Sequence, residues 1–406
     1  MDFAQKALAK SQSIFQQIDK ISQYNCARVL KAFKDNKISE AHLGQTTGYG
    51  YDDIGRDATE RVAAQIFGAE DCLFRHNFQS GTHAIATALF AILKRGDVIT
   101  SVTGTPYDTL QATMGINNKG NGQGNFNDLG IIYKQIELID NEFIDVKKAK
   151  EIAKQSKVIY IQRSRGYSLR KSISLLQVEQ LVKEVKSINK NVIIIVDNCY
   201  CEFVSYAEPC QVGADLIIGS LIKNPGGGLA LTGGYIAGRK DLVDLCGFRL
   251  TAPGVGREIG CTMGQNRNML MGLFFAPHTV AQALKTAVFA ASLFNDAGFQ
   301  TSPKFDDDRA DIIQSILLNN KENLISFCQG VQSGSPVDAF ALPEPWAMPG
   351  YDNDVIMAAG AFTMGASIEL SADAPLREPF AVWLQGGLTF ETGKIGIMLA
   401  LEKMLN

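Results

Sequence analysis

The chain has 406 residues, of which 46% are hydrophobic and 20% are charged, and its formal net charge is -3. This composition is that of an ordinary globular protein, and the length allows two or three domains. It carries no basic run typical of a nucleic-acid-binding protein. The apolar runs are far shorter than the roughly 20 residues of a membrane-spanning helix. The N-terminal segment has no apolar core of signal-peptide length, so we expect a cytoplasmic protein with neither nucleic-acid nor membrane partners.

The first elements predicted along the chain are helical. Residues 1–40 are polar with a helical pattern and predict an N-terminal arm, and residues 41–56, rich in Gly, Asp and Thr, predict an ordered loop. A helix is predicted over 57–67. The Gly- and Asn-rich stretch 115–130 predicts a surface loop.

Strands and helices alternate from Cys72 onward. The last two strands are almost entirely apolar, which is typical of parallel strands covered on both faces. We therefore predict an α/β fold with a mostly parallel sheet and helices on both sides. The predicted elements are helices 82–94 and 175–189 and strands 97–102, 157–162, 191–196 and 215–219.

The pattern changes after about residue 275 and predicts a smaller α+β domain. The predicted elements are helices 277–296, 310–330 and 391–405 and strands 339–343, 362–370 and 381–387. The chain then divides into an arm (1–40), a large domain (41–275) and a small C-terminal domain (276–406).

Three polar residues follow the two apolar strands. Asp197 ends one strand, Ser220 ends the next, and Lys223 comes three residues later. Ligands bind outside the carboxyl ends of parallel strands, so these side chains are expected at one rim of the sheet. A buried carboxylate can keep a ring nitrogen protonated. Lys223 must be partly neutral to form an imine, and we expect its pKa to be lowered, because desolvation and a neighbouring cation both lower the pKa of a lysine. The glycines 226–228 let the backbone turn closely around the lysine.

A phosphate site is predicted just before helix 82–94. Ser80, Gly81 and Thr82 form a loop at the start of that helix, where free backbone N–H groups and the helix dipole favour an anion. A plain Ser or Thr helix cap is the alternative. Tyr107, just after strand 97–102, could stack on a flat cofactor or be an ordinary turn tyrosine.

The eight cysteines include no C-x-x-C pair and are expected to be buried or partly buried thiols rather than disulfides. His76 and His83 are not accompanied by a cluster with metal-ligand spacing, so no metal site is expected.

The order of these motifs resembles that of fold-type I enzymes that use pyridoxal 5'-phosphate (PLP). Within them it is similar to the cystathionine/methionine γ-lyase group, and above all to the branch called methionine γ-lyase-like or aluminium-resistance proteins. The resemblance implies a mostly parallel sheet in a large domain with a smaller α+β C-terminal domain. The segments that carry it are GYGYDDIGRD (48–57), QSGTHAI (79–85), IQRSRGYSLR (161–170), VDNCYCEF (196–203) and SLIKNPGGGLALTGGYIAG (220–238).

The resemblance also implies roles for matching residues. Lys223 would bind PLP as an imine and then shuttle protons, and Asp197 would pair with the pyridine nitrogen. Tyr107 would stack on the ring and protonate a leaving group. The phosphate would be held by Ser80, Gly81, Thr82 and Ser220. Ile222 replaces a threonine that is usual in the classical members, which removes one phosphate hydroxyl.

Two further sites follow from the resemblance. Tyr51 and Arg56 occupy the stretch from which a neighbouring subunit reaches the phosphate in classical members, although their spacing departs from Tyr-x-Arg. A homodimer or homotetramer with shared sites is thus implied. Arg377 is the candidate for the substrate carboxylate, with Arg163 and Arg170 as competitors.

The implied activity is that of a carbon–sulfur lyase. It would perform β- or γ-elimination on a methionine- or cystathionine-like amino acid and release a 2-oxo acid and ammonia. Because fold does not decide reaction, an aminotransferase, aldolase or decarboxylase remains open. So does a PLP-binding resistance or regulatory protein without turnover.

Overall fold

The computed structural model describes residues 2–348 and 353–406. The described helices are α1 (Asp2–Asp35), α2 (Ile54–Phe67), α3 (Gly81–Ile92), α4 (Asp108–Thr113), α5 (Phe126–Leu129), α6 (Val146–Ala153), α7 (Leu175–Ile188), α8 (Lys240–Leu250), α9 (Asn266–Asp296), α10 (Lys321–Ser333) and α11 (Phe390–Leu405). The described strands are β1 (Asp71–Arg75), β2 (Val98–Ser101), β3 (Ile132–Gln135), β4 (Val158–Gln162), β5 (Ile193–Asp197), β6 (Leu216–Ser220), β7 (Gly234–Gly238), β8 (Gln300–Ser302), β9 (Gln314–Leu317), β10 (Val355–Ala358), β11 (Ser371–Pro375) and β12 (Ala381–Gln385).

Seven strands form the larger sheet, in the order β1-β7-β6-β5-β4-β2-β3. The neighbouring strands β3, β2, β4, β5 and β6 pair in parallel, whereas β7 is antiparallel to both β6 and β1. The predicted α/β fold with a mostly parallel sheet is confirmed. In register, Gln162 pairs with Asp197 and Asp197 pairs with Ile218, so the carboxyl ends of β4, β5 and β6 reach the same rim.

The central strand β5 shows why its sequence is apolar throughout. Ile194 and Val196 pack into the hydrophobic core on one face of the sheet, whereas Ile193 and Ile195 pack into the core on the other face. Both faces of β5 are therefore removed from water, as expected for a parallel strand between two helix layers.

The predicted N-terminal helix is present, but it is not a free polar arm. One face of α1 carries buried apolar side chains, including Phe15, Ile18 and Val29. Ser22 donates a hydrogen bond to the carbonyl of Pro277 in α9. An amphipathic stripe packed on a neighbouring helix explains how a helix with so many charges is stabilised.

Two C-terminal segments differ from their predicted structure. The predicted helix 310–330 is wrong over its first part, because Gln314–Leu317 is strand β9, paired with β8 and β12, and α10 begins only at Lys321. The strand 362–370 is also wrong: Glu369 accepts hydrogen bonds from the N–H groups of Phe362 and Thr363, which folds the segment into turns. Local periodicity cannot report either set of long-range partners.

The remaining C-terminal elements complete a five-stranded antiparallel sheet in the order β10-β11-β12-β9-β8. The predicted strand 381–387 is confirmed as β12, but 339–343 forms no strand. The helix predicted to start at 277 begins instead at Asn266 and passes through Pro277. The proposed boundary at 275/276 lies inside this helix, and the division into domains stays a prediction. In the two described ranges, no helix is long and apolar enough to cross a membrane.

Candidate active site

A cavity of about 230 Å³ lies at the rim where β4, β5 and β6 end. We call it the rim cavity. It brings together seven residues that were predicted from distant parts of the sequence. They are Ser80, Gly81, Thr82, Tyr107, Asp197, Ser220 and Lys223. Other residues that line it include Gln162, Tyr167, Cys199, Tyr200 and Ile222.

Asp197 is a buried carboxylate without an ion-pair partner. Its Oδ1 accepts a hydrogen bond from the N–H of Cys199 (3.1 Å), and the Tyr160 hydroxyl lies 3.4 Å from its Oδ2. Burial raises the pKa of Asp197, although the Cys199 N–H and the charge of Lys223 oppose that effect. No cation lies within 4 Å of it among the described residues. A protonated ring nitrogen would supply the missing positive partner.

The start of α3 forms a close cradle against β6. Ser80 is the helix cap, and its Oγ accepts a hydrogen bond from the N–H of His83 at 3.1 Å. A Cβ on Gly81 would stand 3.2 Å from the Ser220 Cβ and 3.4 Å from the Cys199 Sγ, so glycine permits this approach. The cap interpretation is thus correct for Ser80. It remains compatible with an anion, because the first N–H groups of a helix lack intrahelical acceptors.

Tyr107 is held at the cavity by two contacts. Its hydroxyl lies 2.9 Å from the Thr82 Oγ1, and its backbone N–H donates to the Gln162 Oε1 at 2.9 Å. Burial, with the nearby Asp197 charge, raises the pKa of Tyr107 well above its usual range. The side chain is therefore a neutral phenol at neutral pH.

The surroundings of Lys223 include a residue that sequence reasoning missed. Its Nζ donates hydrogen bonds to the Tyr200 hydroxyl (2.6 Å) and the Ser367 Oγ (3.2 Å). The ammonium also lies 3.8 Å from the centroid of the Tyr200 ring. The signal in the sequence was the position of Tyr200, three residues after Asp197 and hence at the same rim.

The charge state of Lys223 differs from the sequence-based expectation. Burial by itself would lower the pKa of Lys223, but Tyr200, Cys199 and Asp197 raise it above its usual value. The expected lowering of this pKa is wrong for the protein without a cofactor. The reason is that the side chain is surrounded by hydroxyl and acidic groups, and no neighbouring cation acts on it among the described residues.

Replacing Tyr200 with phenylalanine is expected to make Lys223 react faster with PLP. The substitution keeps the ring but removes the hydroxyl that holds the ammonium form, so a larger fraction of Lys223 is neutral at pH 8. A fall of one unit in the pKa of Lys223 would give about a tenfold faster uptake. The measurement is the rate at which the visible absorbance grows when PLP is added to cofactor-free protein. An unchanged or slower uptake, with PLP still bound at the end, would contradict this role of Tyr200.

The three candidate arginines have different surroundings. Arg163 is buried and donates to the Asn198 Oδ1 (2.6 Å) and the Ile173 carbonyl. Arg170 is also buried and donates to backbone carbonyls, including that of Gln162 at 2.8 Å. Arg377 is exposed and lines a groove that shares Tyr107, Gln162, Gly166 and Tyr167 with the rim cavity. Of the three, Arg377 has the most accessible guanidinium.

Tyr51 and Arg56 do not line the rim cavity of their own chain. Tyr51 is 63% exposed. Arg56 is buried and donates to the Gly50 carbonyl (2.7 Å) and to Asp57 (2.9 Å). Their contact with a cofactor in a second chain stays a prediction.

The two histidines considered as metal ligands have separate hydrogen-bond partners. His76 contacts the Cys261 carbonyl (2.8 Å), whereas the His83 Nδ1 accepts from the Gln79 N–H (3.0 Å). All eight cysteines are free thiols. Over residues 2–348 and 353–406, no group of three or more His, Cys, Asp or Glu is arranged to hold a metal ion.

Comparison with known proteins shows the family of this chain. The family model described as methionine gamma-lyase matches residues 1–405. The chain belongs to the methionine gamma-lyase family. One relative, YnbB of Bacillus subtilis, is 47% identical over 97% of this chain and 93% of its own length. The L-methionine gamma-lyase of Pseudomonas deceptionensis is 24% identical over half of this chain and 46% of its own length.

Solved structures of similar proteins support the family's fold. A carbon–sulfur lyase involved in aluminium resistance from Clostridium novyi is 47% identical, with a TM-score of 0.95 over 98% of this chain and 94% of that one. A Listeria monocytogenes protein, provisionally described as a cystathionine beta-lyase involved in aluminium resistance, is 48% identical, with a TM-score of 0.97 over 99% of both chains. The PLP-dependent protein YhfS of Escherichia coli is 16% identical, with a TM-score of 0.63 over 95% of this chain and 97% of that one. This last likeness shows the fold alone, which is that of PLP-dependent fold-type I enzymes.

Proposed function

We propose that this member of the methionine gamma-lyase family is a PLP-dependent carbon–sulfur lyase. It would act by β- or γ-elimination on a methionine- or cystathionine-like amino acid, consume one water and release a thiol, a 2-oxo acid and ammonia. The observation that carries the proposal is the convergence of Lys223, Asp197 and the start of α3 on one cavity. The names of the similar proteins favour a lyase over other reactions on this fold.

The residues of the rim cavity fit PLP at three points. Asp197, a buried carboxylate without a cation, suits a protonated pyridine nitrogen. Gly81, Thr82 and Ser220, with the Ser80 hydroxyl, suit the phosphate at the start of α3. Lys223 is the amine that would anchor the cofactor. When bound, PLP would supply an electron sink for the α-carbon of the substrate.

Proton movement would be divided between two side chains. Lys223, once free, would take the substrate's α-proton at Nζ, where Tyr200 and Ser367 hold the side chain in place. Tyr107, a neutral phenol bonded to Thr82, would give its proton to the leaving sulfur group. General acid–base steps of this kind each contribute about 10²–10⁴-fold to the rate.

Replacing Arg377 with alanine is expected to raise KM for the amino acid by about 10–100-fold, which is the value of a charge-assisted hydrogen bond to a carboxylate. Turnover at saturating substrate should change much less, because the interaction is made equally before and during reaction. Steady-state kinetics with the best substrate measure both constants. A matched control is Arg95→Ala, an exposed arginine in the turn after α3. If Arg377→Ala leaves KM unchanged, the carboxylate is bound elsewhere, with Arg163 and Arg170 the next candidates.

The experiment that tests the function is a panel of amino acids assayed for 2-oxo acid and ammonia together. Methionine, cystathionine, cysteine and serine separate γ- from β-elimination and sulfur from oxygen leaving groups. Release of both products supports the lyase. Conversion of the bound cofactor to pyridoxamine phosphate would identify an aminotransferase instead. A protein that binds PLP but releases no product from any amino acid would be a binding or regulatory protein.

The assembly belongs to the same proposal. Tyr51 and Arg56 would complete the site of a neighbouring subunit in a homodimer or homotetramer. Residence in the cytoplasm, where PLP and free amino acids are available, is proposed on the same basis. A contribution to aluminium tolerance would then be indirect, through the products of amino-acid cleavage.

A further inference from the structure

A second cavity, of about 340 Å³, lies between the segments 165–177 and 303–310. We call it the arginine cavity, because Arg165 and Arg309 line it from these two segments. It is distinct from the rim cavity, with which it shares no lining residue. Nothing in the proposed lyase reaction uses either arginine.

Arg165 is a buried cation in which three of the five N–H donors are unused. It is 1% exposed, and its Nη1 donates to the Ser302 carbonyl (2.8 Å), the Ser302 Oγ (3.1 Å) and the Ser315 Oγ (3.2 Å). Its Nε and Nη2 have no acceptor among the described residues. These two atoms share one edge of the guanidinium group, which is the edge that binds a carboxylate or phosphate through two parallel hydrogen bonds.

Arg309 lines the arginine cavity from the loop before β9. Its Nη2 donates to the Gln314 Oε1 at 2.6 Å, while its Nε and Nη1 are buried and lack an acceptor among the described residues. Burial, with the charge of Arg165, lowers the pKa of Arg309 to about 10. Since that value is still well above neutral pH, Arg309 carries a positive charge at pH 7. Burial also lowers the pKa of Arg165, but an arginine guanidinium stays protonated in proteins.

The nearby carboxylates make no direct contact with the two guanidinium groups, although the charge of Asp311 raises the pKa of both. Asp311 is buried, but its oxygens accept from the backbone N–H groups of Arg165 (3.2 Å) and Ile313 (3.1 Å). Glu142 forms an ion pair with Lys171 at 2.6 Å. In the described chain, no carboxylate oxygen lies within 4 Å of either guanidinium.

Two more carboxylates lie at the edge of the arginine cavity. Asp307 and Asp308 are exposed, and Asp307 accepts a hydrogen bond from the Lys304 N–H at 2.9 Å. The charge of Asp307 nevertheless acts on both arginines and raises their pKa, against the lowering by burial. A buried charge without a partner, and a buried donor without an acceptor, are both costly. What the free donors of Arg165 and Arg309 lack, among the described residues, is a directly bonded acceptor.

We propose that the arginine cavity binds a small oxyanion, a carboxylate or a phosphate group, through the Nε and Nη2 of Arg165 and the free donors of Arg309. The anion would bridge the segment that carries Arg165 and the loop before β9. Ser164 and Gly166, on either side of Arg165, line the rim cavity. An anion here would thus steady one wall of the candidate active site without being the substrate.

The test is thermal unfolding of the protein as isolated, titrated with inorganic phosphate or with malonate at constant ionic strength. We expect a saturable rise of a few degrees in Tm for the wild type with at least one of the two anions. The preferred anion tells a phosphoryl ligand from a carboxylate ligand. Arg309→Gln should lose most of this rise, whereas Arg95→Gln, at an exposed arginine, should keep it. Because the loss is localised to Arg309, the result does not depend on PLP or on lyase activity.

A second pair of variants keeps the proposal falsifiable. Should Arg309→Gln fail to fold, Arg309→Lys retains the charge but not the planar group and should weaken anion binding. Asp307→Asn removes a competing negative charge and should keep or strengthen it. If Asp307→Asn instead lowers Tm and added phosphate restores it, Asp307 itself is the natural partner and the proposal fails. It fails equally if neither anion changes the wild-type Tm, or if Arg309→Gln responds as the wild type does.

Discussion

Replacing Lys223 with alanine is expected to abolish covalent attachment of PLP and to reduce turnover by about 10⁴-fold or more. The variant removes both the amine that would anchor the cofactor and the group that would take the α-proton. Its hydrogen bonds to Tyr200 and Ser367 are lost as well, and the rim cavity is left without its lysine base. The wild type should show a visible absorbance band that borohydride removes, and mass spectrometry should then find the reduced adduct on Lys223.

The matched control is Lys190→Ala, at an exposed lysine between α7 and β5. This variant should keep the band, the adduct and the activity of the wild type. A Lys223→Ala protein that turns over substrate normally, or a borohydride adduct on a different lysine, would overturn the assignment of Lys223 and the cofactor geometry built on it.

Replacing Asp197 with asparagine is expected to reduce turnover by about 10²–10³-fold, as removal of a single preorganised electrostatic contact does in other enzymes. The asparagine has a similar shape and can still accept from the Cys199 N–H, but it has no charge with which to hold a ring nitrogen protonated. The spectrum of bound PLP should shift, while binding itself is retained through the phosphate.

The same substitution should stabilise the cofactor-free protein at neutral pH. Because burial raises the pKa of Asp197, the ionised carboxylate opposes folding, and wild-type stability is lost as pH rises through that raised pKa. The asparagine side chain does not titrate, so the gain in Tm over the wild type should be present at pH 8 and vanish at about pH 4, near the ordinary pKa of an aspartate. Asp306→Asn, at an exposed aspartate, should show no such trend. A wild-type advantage in Tm at pH 8 without PLP would contradict the unpaired state of Asp197.

Sequence reasoning succeeded where the required information was local or repeated along the chain. The strand that ends in Asp197 was predictable because four consecutive apolar residues, 193–196, suit a parallel strand buried on both faces. Ser80, Gly81 and Thr82 were predictable as a helix start because the cap and the following periodic pattern lie within a few residues. These local signals placed most of the candidate site.

Sequence reasoning failed where residues that are distant in the chain decide the local structure. Residues 314–317 have apolar spacing compatible with a helix, yet they are a strand because β8 and β12 flank them. Tyr200 was missed because only the fold brings its hydroxyl to Lys223. Likewise, the raised pKa of Lys223 depends on Tyr200, Cys199 and Asp197 lying around it.

The sequence by itself determined the mostly parallel sheet and the polar residues that follow two of its strands. It also determined the lysine, the aspartate and the helix start that point to PLP chemistry. Those features follow from hydrophobic patterning and from residue types whose chemistry is intrinsic. The tertiary structure alone decided the charge state of Lys223, the accessibility of Arg377 and the unpaired guanidinium groups of Arg165 and Arg309. Each of these depends on burial and on neighbours remote in the chain, and electrostatic energies change with both.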